Sequence, residues 1–219
     1  MKAINAYTQI YGDVNGQEIL KKIEACGRVC YKSEDKITED SAERFVAAIV
    51  KRGHEAVLEH ASITVKFVVD RGVSHEIVRH RIASYCQEST RYCNYSQDKF
   101  GNELTFIIPE FLDYGSEGFK LWKEEMKQIE KTYFAMLKAG HTPQEARSVL
   151  PNSLKTELVM TANLREWRSF FKLRTSKAAH PQIREVVIPL LEDFKTLIPV
   201  VFDDITCEKE VKKDEKSIS

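Results

Sequence analysis

The chain lacks the signals that usually announce a nucleotide or metal enzyme. Only nine glycines occur in its 219 residues, no GxGxxG follows a strand-like run, and no GxxxxGK[ST] is present. A Rossmann turn and a P-loop are therefore excluded as the means of holding a nucleotide. His54 and His60 are six residues apart, and His75 and His80 five. Neither pair has the i, i+4 spacing that sets two imidazoles on one helical face, and no Cys/His spacing supports a zinc site, so no metal is expected. The five cysteines, at 26, 30, 86, 93 and 207, are odd in number and include no CxxC. Reduced thiols in a cytoplasm are the expectation. No apolar run approaches the about 18 to 20 residues of a membrane span, and nothing ahead of the first strand resembles a signal peptide, so no membrane partner is expected. Net charge is missing too, since Lys+Arg and Asp+Glu each number 33. Such a surface does not draw in a nucleic-acid polymer, and any anion site must come from local clustering.

What is present has an ordinary globular balance, 42% hydrophobic and 30% charged. MKAINAYTQIY reads as an opening strand with YGDVNG as its turn. Apolar spacing predicts helices over 17–31 and 39–52, the second capped by Asp40 or Ser41. ITVKFVVD (63–70) is β-branched and predicts a central strand, with a short helix in GVSHEIVRHR behind it. Residues 94–105 read as loop and 110–139 as a long helix ended by Gly140. Pro143 starts a short helix, LPNSLKTELVMTAN contains a strand, and LREWRSFFKLR is helical. The last helix, HPQIREVVIPLLEDFKTLI, is expected to bend or break at Pro189. Without regular βαβ alternation the class is α+β, mixed helices around a central, mostly antiparallel sheet. Residues 1–207 read as a single domain, and 208–219 as a charged, frayed tail.

Charge does cluster in RHRIASYCQESTRY (79–92). Arg79, Arg81, Arg91, Arg147, Arg165 and Arg174 all sit beside apolar or small polar residues, not in solvated charge runs. A single such arginine makes an ordinary salt bridge; six point to a partly buried site for a polyanion, because guanidinium grips phosphate bidentately. Ser84, Gln87, Ser89 and Thr90 add neutral donors and acceptors suited to a sugar and base, and Tyr85, Tyr92 and Tyr95 offer rings that stack or pack. Cys86 and Cys93 lie near arginines, which lower a thiol pKa, although free cysteine is commonly a small buried hydrophobe. Three readings stay open on these residues: a nucleotide enzyme, a module that holds nucleotide or single-stranded RNA, and a cysteine-type transferase.

The segment RHRIASYCQESTR resembles the RHRxxSxxxxSxR signature of the flavin-dependent thymidylate synthases through Arg79, His80, Arg81, Ser84, Ser89 and Arg91. GHEAVLEH (53–60), EARSVLP (145–151) and NLREWRSFFKLR (163–174) resemble further motifs of that family in the same order. The resemblance implies conversion of dUMP to dTMP, with carbon from 5,10-methylenetetrahydrofolate, hydride from FAD reduced by NADPH, and release of tetrahydrofolate. It also implies a homotetramer with flavin sites shared between subunits.

Carried over by position, His54, Glu59, Arg79, His80, Arg81, Gln87, Asn163, Arg165 and Ser169 would contact FAD. Glu76, Arg79, Gln87, Ser89, Arg91, Arg147 and Arg174 would contact dUMP. Arg174 would assist ionisation of the uracil and Ser89 would hold or polarise it, so these two are the catalytic candidates. A cation at the pyrimidine edge stabilises the charge that an attacking cysteine would otherwise generate. Three positions depart from the family's habit: Cys86 for Asn, Ala56 for Ser or Thr, and Glu76 for Gln. A carboxylate at 76 repels a phosphate, so it faces the base or sugar, or pairs with an arginine.

Overall fold

The computed structural model describes residues 1–98 and 101–207; the tail at 208–219 lies outside the described residues. Two long strands, β3 (Ser62–Asp70) and β6 (Lys155–Asn163), form the centre of the architecture. They pair antiparallel along their whole length, from Ser62 opposite Asn163 to Asp70 opposite Lys155. β2 (Tyr7–Tyr11) flanks β3 and β4 (Ala83–Gln87) flanks β6, both antiparallel, giving the order β2-β3-β6-β4.

Period-two alternation gives this sheet one oily face. Ile63, Val65, Phe67, Leu158 and Met160 are buried against the helices α1 (Gly16–Val29), α2 (Ser41–Lys51), α6 (Leu164–Arg174) and α7 (Pro181–Leu197). Trp167 sits at the middle of that core, its ring 5.3 Å from Phe170 and 5.1 Å from Phe194, and its indole N–H donates to the Ile63 carbonyl at 3.1 Å. On the opposite face a row of Tyr11, Thr64, Thr161 and Ser84 crosses all four strands.

Both central strands end in an Asx residue that caps the next helix. Asp70 accepts from Val73 N–H at 2.9 Å to start α3 (Arg71–Ile77), and Asn163 accepts from Glu166 N–H at 2.9 Å to start α6. The strands run in opposite directions, so these helices begin at opposite ends of the sheet. Eleven residues of α6 span about 16 Å at 1.5 Å per residue, which carries Arg174 back beneath the sheet to α3.

A second layer holds β1 (Lys2–Ile4) parallel to β5 (Thr105–Ile107), and packs Tyr95, Phe106 and Leu154 on Met126 and Tyr133 of α4 (Glu117–Lys138). α5 (Pro143–Ala146) follows, opened by a Thr142/Glu145 capping box.

Several expectations are corrected. The opening strand is two strands, β1 and β2, that join different sheets. The helix expected over 110–139 begins only at Glu117, because Ser116 Oγ accepts from Phe119 N–H and Gly115 before it takes φ +85°. Gly140 does end that helix, at φ +97°, with His141 N–H bonded to Met136 O and Gly140 N–H to Leu137 O, a Schellman closure. β4 and β5 were not anticipated. α7 runs unbroken through Pro189, which lies on the exposed side of the helix. Asp40 makes no side-chain cap; Ser41 Oγ instead donates to the buried Glu24 at 2.7 Å.

Candidate active site

The RHR run follows α3 and turns the chain into β4. Its middle residue points inward: His80 is 7% exposed, its ring edge-on to Phe170 at 4.9 Å. Tyr85 on β4 pins the turn by donating to the carbonyls of Ile77 at 3.0 Å and His80 at 2.5 Å. Burial of that phenol pushes its pKa up to about 12. Tyr85 is thus a strut and not a free stacking ring. Tyr95 is buried against Tyr133 and bonded to Glu88, while Tyr92 is 79% exposed.

Arg174 reaches this turn from the last residue of α6. Its Nε–H donates to His80 Nε2 at 3.1 Å, Nη1 to Glu76 Oε2 at 2.7 Å, and Nη2 to the Glu76 carbonyl at 2.8 Å. Glu76 therefore pairs with an arginine, which resolves the alternative posed by its departure from glutamine. On the other side of the ring, His80 Nδ1 lies 3.1 Å from Glu166 Oε1. Burial lowers the His80 pKa, and Arg174 adds to that effect against the opposing pull of Glu166. A neutral imidazole with its proton on Nδ1 satisfies both neighbours at once.

Glu166 also lines a cleft of about 480 Å³ with Glu55, Glu59, Ile82, Asn163, Arg165, Ser169 and Lys172. Four of the residues assigned by resemblance to the flavin, Glu59, Asn163, Arg165 and Ser169, thus share one wall. Arg165 donates to Glu59 at 2.6 Å, both side chains about half exposed. His54 is not among them: it lines a second cavity of about 700 Å³ between α1, α2 and the 55–60 turn, together with Arg28, Phe45, Arg52 and Ala56.

The residues assigned to dUMP fall into two groups. Gln87 donates to Ser74 Oγ on α3 at 3.0 Å and to Thr156 Oγ1 on β6 at 3.2 Å, which sets it beside the helix that carries Glu76. The 88–93 loop is tied to β6 by Glu88, whose N–H donates to the Glu157 carbonyl and whose carboxylate takes the Lys155 ammonium at 2.8 Å. In that loop Ser89 Oγ accepts from Arg91 N–H, Arg91 lies over the Tyr92 ring, and Arg147 reaches Thr90 Oγ1 at only 3.4 Å.

The expected partial burial of six arginines holds for Arg174 alone. Arg79, Arg81, Arg91, Arg147 and Arg165 are exposed in the single chain. The buried arginines are two that the sequence pattern did not single out, Arg168 and Arg184. Arg168 bonds Glu55, Asp204 and the Val201 carbonyl, locking the 55–60 turn to the C-terminal segment. Glu166 and Ser74 were also missed. No local spacing marks them, because their partners lie 86 and 13 residues away.

The architecture is that of a crystallised UMP/dUMP methylase, PolB from Streptomyces cacaoi bound with 5-Br dUMP. The TM-score is 0.74 over 92% of this chain and 95% of that one, at 21% identity, a likeness of fold. The chain belongs to the thymidylate synthase complementing protein family, whose pattern matches residues 14–200. It is similar to proteins named flavin-dependent thymidylate synthase from Pyrococcus abyssi and Geobacter sulfurreducens. The first is 39% identical over 163 residues (74% of this chain, 66% of the relative) and the second 33% over 184 (81% and 78%). The matched stretch thus spans just under two thirds of the P. abyssi protein.

Proposed function

We propose that this chain is a flavin-dependent thymidylate synthase, a methyltransferase that converts dUMP to dTMP with 5,10-methylenetetrahydrofolate as carbon donor and NADPH as reductant. The observation that carries this reading is the seating of Arg174 on His80 and Glu76, which brings together motifs 94 and 98 residues apart in sequence. The cleft beside Glu166 fits the polar part of a flavin dinucleotide. Asn163 and Ser169 supply an amide and a hydroxyl, Ile82, 69% exposed, an apolar edge, and Glu55, Glu59 and Glu166 acceptors for ribose or ribityl hydroxyls. Arg165 and Lys172, paired within the cleft with Glu59 and Glu55, would have to turn from those carboxylates to meet a pyrophosphate. When bound, FAD supplies the hydride that completes the methyl group.

The chain's own residues do the rest. Arg174, held at three points, presents its remaining N–H groups toward a pyrimidine edge and stabilises the negative charge that makes C5 nucleophilic. Arg91 and Arg147 bind the 5′-phosphate, and Ser89 and Gln87 orient the sugar and base. Arg79 and Arg81, exposed on one protomer, and His54, in its separate cavity, reach the flavin across a subunit boundary in a homotetramer. Tyr7 and Tyr11, 51% and 41% exposed on the helix-free sheet face, support self-association. Residues 1–207 act as one catalytic unit. No helix among the described residues is long and apolar enough to cross a membrane, and the cytoplasm, where dUMP and folate are found, is the proposed compartment.

The test is the visible spectrum of the purified protein with product analysis. The reading expects a yellow protein whose flavin bands bleach under anaerobic NADPH, and dTMP formed only when dUMP and methylenetetrahydrofolate are both present. A colourless protein that takes up no flavin and binds oligonucleotides in a salt-sensitive way would overturn it.

A further inference from the structure

We propose that Glu166 is a positioning residue for Arg174, acting through the tautomer of His80. The inference rests on the reading that Arg174 addresses the pyrimidine. Arginine offers only donors, so its Nε–H at 3.1 Å requires a bare lone pair on His80 Nε2. A neutral imidazole supplies that lone pair only if its proton sits on Nδ1. Glu166 Oε1, 3.1 Å from Nδ1, is the acceptor that holds the proton there.

The surroundings of the ring are otherwise fixed. The His80 ring is packed on Phe170, its backbone carbonyl is tied by Tyr85, and Glu166 is fixed at the capped start of α6, its side chain 11% exposed. Without the carboxylate, a buried Nδ1–H is left with no acceptor, and Arg174 alone opposes a shift of the proton to Nε2. Once it shifts, two N–H groups face each other, and the guanidinium swings off the axis on which Glu76 holds it. Glu166 also lines the cleft proposed for the flavin, so one carboxylate touches that cleft and orients the group on the substrate side. Arg174 is needed where charge develops, so its misorientation costs turnover more than substrate affinity.

The experiment compares Glu166→Leu and Glu166→Gln with the parent protein, all purified as the native assembly with bound flavin. Glu166→Gln keeps an amide oxygen to accept the Nδ1 proton; Glu166→Leu does not. Turnover at saturating dUMP should fall about 30-fold in Glu166→Leu and come back to within about fivefold of the parent in Glu166→Gln, with KM for dUMP moving far less than kcat. In parallel, nitrogen NMR of protein carrying isotope-labelled histidine, with His80 assigned by His80→Gln, reads the tautomer without any turnover. The parent and Glu166→Gln should show the proton on Nδ1, and Glu166→Leu a shift toward Nε2. An Nε2–H or doubly protonated His80 in the parent at neutral pH would overturn the proposal, and so would a Glu166→Leu enzyme that turns over like Glu166→Gln. Should Glu166→Leu fail to fold, the parent's tautomer still decides. Should no dTMP form in any variant, the functional reading fails, and the NMR still reports on the hydrogen-bond relay.

Discussion

Arg174 and Arg147 belong, by the family's pattern, to one nucleotide, yet the fold holds them in opposite ways. Arg174 is gripped at three points by an imidazole, a carboxylate and a carbonyl, on a helix packed into the main core. Arg147 follows a four-residue helix, is exposed, and has one long contact to Thr90. The difference matches the tasks proposed for them. A group that must meet charge in a transition state gains from orientation fixed in advance, since no reorganisation is then needed during reaction. A group that only captures a phosphate can be ordered by the ligand itself at modest cost.

The largest effect that sharpens this contrast is on chemistry. Arg174→Ala should lower turnover by about 10²–10³-fold while the thermal midpoint moves little, because Glu76 is exposed enough to be rehydrated. Equal losses of turnover and stability would make Arg174 a structural arginine and break the comparison.

Arg168 completes the series as an arginine with protein partners only. Arg168→Ala should cost about 2 to 3 kcal/mol in urea unfolding, because it leaves the buried Val201 carbonyl without its donor and half-buried Glu55 with only Lys172. A variant as stable as the parent would show that this lock contributes nothing.

Arg147→Ala should weaken dUMP binding by about 2 kcal/mol, the range of a hydrogen bond to a charged group, with turnover at saturation nearly kept. Calorimetric titration measures this, and unchanged affinity would remove Arg147 from the site.

The smallest effect lies on the rigid side, where α7 meets the start of α3. Burial, with Glu110 and Asp70 adding to it, raises the Glu185 carboxyl to about 7, and its Oε2 has no hydrogen-bond partner among the described residues. The protonated form is favoured in the folded state. That contribution is fully present below the unfolded carboxylate pKa and is lost as pH rises through about 7. Glu185→Gln should therefore gain stability over the parent between about pH 5 and pH 8, by roughly 1 kcal/mol after solvent screening of a half-buried group. A pH-independent difference in melting temperature would refute it.

The legible parts of this chain were those written locally. The alternation of ITVKFVVD, the stripes of α1 and α2, and Gly140 after a long apolar period each fix an element by its own sequence. β4 was illegible because its side chains, Ser, Tyr, Cys and Gln between arginines, look like a binding loop; pairing with β6 makes it a strand. The site residues were named from motifs, but their roles in the fold are set by partners far along the chain. Glu166 meets His80 only because α6 folds back onto the RHR turn, and Arg168 is buried only because the C-terminal segment closes over it, so nothing in the local sequence marks either. Exposure misled in the other direction: five arginines beside apolar residues proved solvent-facing, because neighbours in sequence do not set which way a side chain leaves the backbone.

The central claim is that a fixed guanidinium, and not a thiol, activates the pyrimidine. Cys86 is exposed on the edge strand and Cys93 half-buried behind the loop, so both are present to be tested. The direct measurement is single-turnover formation of dTMP by Cys86→Ser/Cys93→Ser, with flavin reduced beforehand. Most of the parent's rate should survive. Complete loss of dTMP in that variant, with flavin and dUMP still bound, would contradict the account.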